Sequence, residues 1–207
     1  MKINKIIAGT SAVVLSLSMT SVAFAASATD SQSTSATVVE NLTLDCAAAI
    51  DIDNGTSNLV ADGATVVANT TTCAVTTNDA DGYHLQIRED TQLTHTDTTT
   101  HIANKTAWTS SPSNAAAYTG TGLGFRVSNN DTGAMNTTWW GTATTCTGSG
   151  ANELYAGLPG SLTDILEEDD YNSGTSTTTI CYATAVPSTQ KAGEYTGQVT
   201  YSVTTGA

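Results

Sequence analysis

The feature that most constrains this chain is a two-residue rhythm. In "GEYTGQVTYSV", residues 193–203, Tyr195, Val199, Tyr201 and Val203 fall on one side, with Gly197 in the same row. Thr196, Gln198, Thr200 and Ser202 fall on the other. Successive side chains of a strand point to opposite faces, so this pattern predicts a strand with one buried face. The rhythm recurs upstream. "ATVVENLTLDC" places Val38, Leu42 and Leu44 together, "YHLQI" places Tyr83, Leu85 and Ile87 against His84 and Gln86, and "GLGFRVS" places Leu123, Phe125 and Val127 inward. "STTTICYATAV" reads as a strand through Cys181. Turn signals separate these runs at Asp53-Asn54-Gly55, at Asp62-Gly63 and over residues 78–82, where Gly82 can adopt positive φ and the Asx residues satisfy the local backbone. That last turn predicts a hairpin. Only "ELYAGLPGSLTDILEEDD" is compatible with a helix, with Ser161 capping a turn that contains Leu162, Ile165 and Leu166. Trp139-Trp140 reads as part of a strand, which would send one ring to the core and the other to the surface.

Repeated short strands between turns predict an all-β chain. The expected architecture is an immunoglobulin-like antiparallel β-sandwich with a long Thr-rich insertion, assigned to residues 88–160, and at most one short helix. The terminal strand needs a partner or it leaves an open edge. The expected partner is an earlier strand of the same domain, such as the one near Cys46, and the alternative is a neighbouring subunit.

The front of the chain supplies the compartment. Lys2 and Lys5 precede an apolar stretch from Ile6 to about Leu17, followed by Ala23-Phe24-Ala25. This is the pattern of a bacterial secretory signal peptide over residues 1–25, too short in its apolar core to serve comfortably as a membrane anchor. Residues 26–35 read as a disordered polar leader and 36–207 as a single domain. Nothing later in the sequence is apolar enough to span a bilayer, so the expected location is secreted, at the bacterial cell surface. Lys2 and Lys5 leave with the signal, so four of the six basic residues remain against 19 acids. Such a surface repels nucleic acid phosphates and anionic membranes.

Four cysteines, Cys46, Cys73, Cys146 and Cys181, are an even number in an exported chain. No C-x-x-C occurs and the spacings fit no zinc module, so disulfides are expected. Four cysteines allow three pairings. Cys46–Cys73 and Cys146–Cys181 are favoured because each would join nearby strand-like segments. Each closed loop stabilises by about 3–4 kcal/mol on the chain-entropy model.

Two blocks carry a family resemblance. "CAVTTNDADGYHLQI" and, much later, "VPSTQKAGEYTGQVTYSV" resemble bacterial surface proteins of the WxL-domain-like kind, with the likeness covering about residues 40–87 and 155–204. That family would imply attachment to peptidoglycan. The motifs that name it differ here: Trp139-Trp140-Gly141 is not W-x-L, and Val199-Thr200-Tyr201 stands where the closing strand usually carries Trp. The closing strand is also similar to that of secreted fimbrial and spore-coat-type subunits, which often carry an early disulfide. No L-P-x-T-G motif occurs, so attachment is expected to be non-covalent or through assembly.

Candidate chemistry is sparse. His95, Asp97 and His101 share a strand parity and could ligate a divalent metal, though a polar hairpin is the simpler reading. Asp51, Asp53, Asn54 and Gly55 resemble the start of a calcium loop without its distal Glu. Glu167, Glu168, Asp169 and Asp170 form an acidic run that could hold calcium, against the default of a solvated loop. Trp108, Trp139 and Trp140 could stack on sugar rings or serve as core. Lys105 and Lys191 are the lysines available for an isopeptide bond, and both lie in polar contexts. No G-x-S-x-G or H-E-x-x-H occurs. The expected function is therefore a non-enzymatic structural or adhesive surface protein that needs no cofactor. Its partners would be an envelope polymer, other surface proteins or itself. The alternatives are a carbohydrate-binding module and a fibre subunit assembling by strand addition, the latter requiring residues 26–45 to be loose in the monomer.

Overall fold

In the computed structural model, residues 35–53, 58–131, 135–169 and 174–206 are described. The alternating segments become strands β1 (Leu42–Cys46), β2 (Val67–Thr77), β3 (Tyr83–His95), β4 (Ala116–Ala117) and β5 (Gly122–Asn130). Helix α1 (Thr137–Trp140) follows, then β6 (Leu154–Tyr155), β7 (Thr163–Glu168), β8 (Thr175–Ala185) and β9 (Tyr195–Thr205). They form three antiparallel sheets, ordered β1-β2-β8-β5, β7-β3-β9 and β4-β6. The two larger sheets bury their alternating faces against each other. Val75, Phe125, Val127 and Ile180 from one meet Leu85, Ile87, Ile165 and Leu166 from the other in one apolar cluster. The chain is thus a β-sheet protein of sandwich-like architecture, and no helix among the described residues is long and apolar enough to cross a membrane.

Several expectations are corrected. The turn over residues 78–82 forms as read, with Gly82 at φ 77° and the Asp81 N–H donating to Asp79 Oδ1 at 3.0 Å. It does not close a hairpin, because β2 and β3 lie in different sheets. Crossing between sheets sets Cys73 and Val75 opposite Leu85 and Ile87 across the core. A hairpin would have placed both rows on one face of one sheet. The predicted helix at 161–166 is instead edge strand β7. A bulge shifts the register so that Leu85 pairs with Leu166 and Gln86 with Asp164, which leaves the consecutive residues Ile165 and Leu166 both buried. Adjacent apolar residues mimic a helical pattern, and Leu162, the third of that set, is exposed.

The third correction concerns the helix that does exist. Asn136 caps α1 by accepting from the Trp139 N–H at 3.1 Å, and Gly141, at φ 77°, ends it. Neighbours on a helix are about 100° apart rather than opposed, so Trp139 and Trp140 are both buried. β9 does pair with an earlier strand of the same domain, and that strand is β3, from Tyr83↔Thr205 to His95↔Tyr195, rather than β1. The leading strand also starts later than expected: it begins at Leu42, and Val38 is 83% exposed.

The Thr-rich excess is not one block. Residues 88–95 complete β3 and 122–130 form β5, so the additional chain comprises two segments, 96–121 and 131–162. Residues 141–155 of the second lie over the outer face of β5 and β8. That is why Arg126 and Ser128 are buried as well as Phe125 and Val127, and why β8 is buried on both faces from Ile180 to Ala185. Tyr155, Cys181 and Ala183 form a second, small apolar cluster there.

Candidate functional site

The disulfides join Cys46 to Cys73 and Cys146 to Cys181. Cys46 and Cys73 are directly opposed in the β1–β2 ladder, so the first bridge clamps edge strand β1 to β2. The second fastens the 141–153 segment to the outer face of β8.

The two long sides of the sandwich differ. On the β5/β7 side, chain segments cover the edges. Phe125 exchanges backbone hydrogen bonds with Ala156, the Lys105 N–H donates to the Leu123 carbonyl, and the Leu123 N–H donates to the Ala103 carbonyl. The rings of Trp108 and Trp140 lie 4.3 Å apart, Trp139 meets Trp108 edge-on at 5.5 Å, and Phe125 meets Trp140 at 5.2 Å. The indole N–H of Trp108 donates to the Asp164 carbonyl at 2.8 Å and that of Trp140 to the Ile165 carbonyl at 2.9 Å. An indole N–H that is buried needs such an acceptor.

The opposite side is a seam. β1 has only β2 as a backbone partner and β9 only β3 among the described residues. Leu42 and Leu44 from β1, and Tyr195, Val199, Tyr201 and Val203 from β9, are half-buried apolar residues packed against the core along it. Beside the seam opens a cleft of about 850 Å³, with Ile52, Leu59, Leu93, Tyr182 and Val199 in its wall and Glu89 and Glu194 adding negative charge. Asp51 and Asp53 also border it, and the hydrogen bond between their carboxyls raises the Asp51 pKa. Apolar rows next to unpaired strand edges are the arrangement by which a sheet accepts another strand.

The mouth of the cleft is held by a polar knot. Asp97 accepts from Lys191 Nζ at 2.9 Å and from the N–H groups of Thr99 and Thr100. Lys191 first, and then these backbone groups and the Thr100 hydroxyl, hold the Asp97 carboxyl well below the usual aspartate range. Gln190 donates to the Tyr195 hydroxyl at 2.7 Å, which donates to the Lys191 carbonyl at 2.7 Å.

The sequence candidates lie in different surroundings. His95 Nδ1 accepts from the Asp97 N–H at 3.0 Å, its Nε2 meets the Ala192 carbonyl at 3.2 Å, and His101 Nδ1 meets the Thr94 hydroxyl at 2.9 Å. The trio therefore builds a turn, with both ring nitrogens of His95 and Nδ1 of His101 already engaged. Trp108, Trp139 and Trp140 are 2%, 9% and 0% exposed, so none of them offers a face to a sugar. Of the acidic run, Glu167 is exposed, Glu168 accepts from Asn130 Nδ2 at 2.9 Å, Asp169 is exposed, and Asp170 lies outside the described residues. Asn54 and Gly55 also lie outside them. Lys105 donates to the Thr119 carbonyl at 2.5 Å and sits over the Tyr118 ring, while Lys191 is exposed beside Asp97.

Sequence reasoning missed Arg126 and Glu153, both fully buried. Arg126 donates to the carbonyls of Trp140, Ala143 and Thr145. Glu153 accepts from the Thr145 hydroxyl at 2.9 Å, the Thr147 N–H at 3.0 Å, the Gly148 N–H at 2.9 Å and the Tyr155 hydroxyl at 3.0 Å. Burial alone would raise the Glu153 pKa. The hydrogen bonds from Thr147, Thr145 and Tyr155 outweigh it and hold the carboxyl below the ordinary glutamate value. The signal available in the sequence was one basic residue inside an otherwise apolar and small strand.

No family model, curated protein or solved structure matches this chain.

Proposed function

We propose that the protein is an exported, non-enzymatic structural or adhesive component of the bacterial surface that acts by binding or assembly through the β1/β9 seam. The observation that carries this reading is the asymmetry of the sandwich. One side is closed by buried tryptophans and covering segments, whereas the other presents two edge strands with half-buried apolar rows and an acidic, apolar-walled cleft. We read the sandwich as immunoglobulin-like, with four and three strands in its main sheets and the closing strand in the smaller one. The likeness of its two end blocks to WxL-like envelope domains agrees with a surface role. The cysteine pairs agree with an oxidising compartment.

A second reading is favoured by Val38 and Val39, which are 83% and 81% exposed immediately before β1. In a fibre subunit this arm would leave its own domain and add to the seam of the next copy. β1 itself is paired from Leu42 onward and Asn78 holds the Val39 carbonyl and the Asn41 N–H and carbonyl, so the segment free to be donated ends at about residue 38 rather than 45.

Expressing the chain with its leader in a bacterial host and fractionating medium, cell wall and sheared surface appendages tests the general reading. Recovery in the wall or appendage fraction supports it, and recovery only in the cytoplasm overturns it. Negative-stain microscopy of the purified chain, at rising concentration, separates the two forms. Filaments lost on replacing Val38 and Val39 with Asp support strand donation, whereas a monodisperse particle at every concentration removes it.

A further inference from the structure

The structure assigns a divalent transition-metal site to His84, Asp164 and Glu167 on the outer face of the β7-β3-β9 sheet. One ligand atom from each lies within 4.8 Å of the other two. The site depends on the β7 bulge. His84 is paired with Glu167 and Gln86 with Asp164, two residues along β3 but three along β7. In a regular strand, residues 164 and 167 would point to opposite faces. The extra residue at the bulge brings both carboxylates to the side that carries His84.

The bulge is also braced from beneath. The Asp164 and Ile165 carbonyls accept the buried indole N–H groups of Trp108 and Trp140. Asp164 is further oriented by Gln86, whose Nε2 donates to Oδ1 at 2.9 Å. A site carried on paired strands and fixed by a second layer of hydrogen bonds is preorganised rather than assembled on binding.

The three ligands also stand out by what they lack. Among the described residues, neither His84 ring nitrogen makes a hydrogen bond, in contrast to the rings of His95 and His101. His84 Nδ1 faces Asp164 Oδ1 at 3.8 Å, too far for a hydrogen bond. Among the described residues the Glu167 carboxylate has no hydrogen bond or ion pair, and no Lys or Arg pairs with either carboxylate. An ion held at about 2.1 Å spreads tetrahedral ligands about 3.4 Å apart, so small rotations of the exposed Glu167 and half-buried His84 complete the geometry. One imidazole with two carboxylates suits zinc or manganese, whereas calcium prefers oxygen ligands alone. The remaining coordination positions face solvent. They are open to water or to a donor from an envelope polymer or a second chain. The proposal does not depend on the assembly reading.

The test is calorimetric titration of the oxidised, chelator-treated protein with zinc chloride, paired with visible spectra of the cobalt(II) form. The expected result is one zinc per chain at micromolar affinity, weakened about tenfold or more in His84→Ala and in Asp164→Asn and unchanged in His101→Ala. Cobalt d–d bands should appear in the wild type and vanish in His84→Ala. Circular dichroism and thermal melts of each variant establish that it folds, and zinc should raise the melting temperature of the wild type but not of His84→Ala. The assignment is overturned if the wild type binds no zinc at millimolar concentration, or if His84→Ala weakens binding by less than about tenfold.

Discussion

The hydroxyls of Tyr182 in β8 and Tyr201 in β9 meet at 2.6 Å across the space between the two main sheets. Tyr83 in β3 makes a parallel tie, donating to Ser176 Oγ in β8 at 2.7 Å. The closing strand is therefore fixed to the opposite layer by a polar bond inside an apolar cluster. Replacing Tyr201 with Phe leaves the Tyr182 hydroxyl buried without its partner and should cost about 1–3 kcal/mol in urea unfolding. Replacing both with Phe should cost less than the single change, because no orphan remains. A double variant weaker than either single one would refute this account.

The same pair sets an alkaline limit. Burial is the main cause that lifts the Tyr201 phenol to about 12, and burial likewise holds Tyr182 well above its ordinary value. Both pKa values are raised on folding, so the stabilising effect is complete below the unfolded value near 10 and is lost as pH rises through the folded one. Unfolding free energy measured from pH 9 to pH 12 should fall over that range, and the slope should flatten in the double Phe variant.

Glu153 governs the acid side of the insertion. Its pKa is lowered on folding, so its contribution is present above the ordinary glutamate value near 4.5 and disappears as pH falls through the depressed folded value. Glu153→Gln should destabilise by about 2–3 kcal/mol at pH 7, since a charged acceptor of several donors is replaced by a group that also donates. The gap between wild type and variant should close at pH 3. An unchanged gap would locate the effect in packing instead.

The cysteine pairs predict no reaction of the native chain with a thiol reagent before reduction. The two loops separate their cysteines by 27 and 35 residues, so removing either pair with Ala should cost about 3–4 kcal/mol. Loss of Cys146–Cys181 should also expose the 141–153 segment to proteases while the sheets persist. Limited proteolysis followed by mass spectrometry reads this directly.

Tryptophan fluorescence provides the remaining check. With all three indoles buried, emission should be blue-shifted and poorly quenched by acrylamide, and soluble polysaccharides should leave it unchanged. Strong quenching would place at least one ring at the surface and restore the carbohydrate reading.

What could be read from the sequence followed from period and spacing. The rows Tyr83-Leu85-Ile87, Leu123-Phe125-Val127 and Tyr195-Val199-Tyr201 were visible because one face of each strand meets the core, and regular alternation reports that. The path between strands was not visible. The turn ending at Gly82 has the same local chemistry whether the chain pairs with its predecessor or crosses to the other sheet, and the choice is made by β1 and β8 occupying both sides of β2. β7 was hidden because its bulge puts Ile165 beside Leu166 in the core, as a helix could. Arg126 and Glu153 were hidden for a different reason. Strand alternation placed Arg126 outward, correctly, but only the later segment covers that outer face and makes it an interior. The His84 ligand set was invisible because it joins residues 80 positions apart across a slipped register.

Strand β8 is a party wall. It donates Ile180 and Tyr182 to one room and Cys181 and Ala183 to the other, while both its edges are hydrogen-bonded. The covering segment is thus not an appendage that can be trimmed, lengthened or exchanged for a foreign loop without disturbing the sheets. Grafting onto this scaffold would have to begin from the chain preceding β1 or the exposed strand edges, where the architecture has no shared partition to breach.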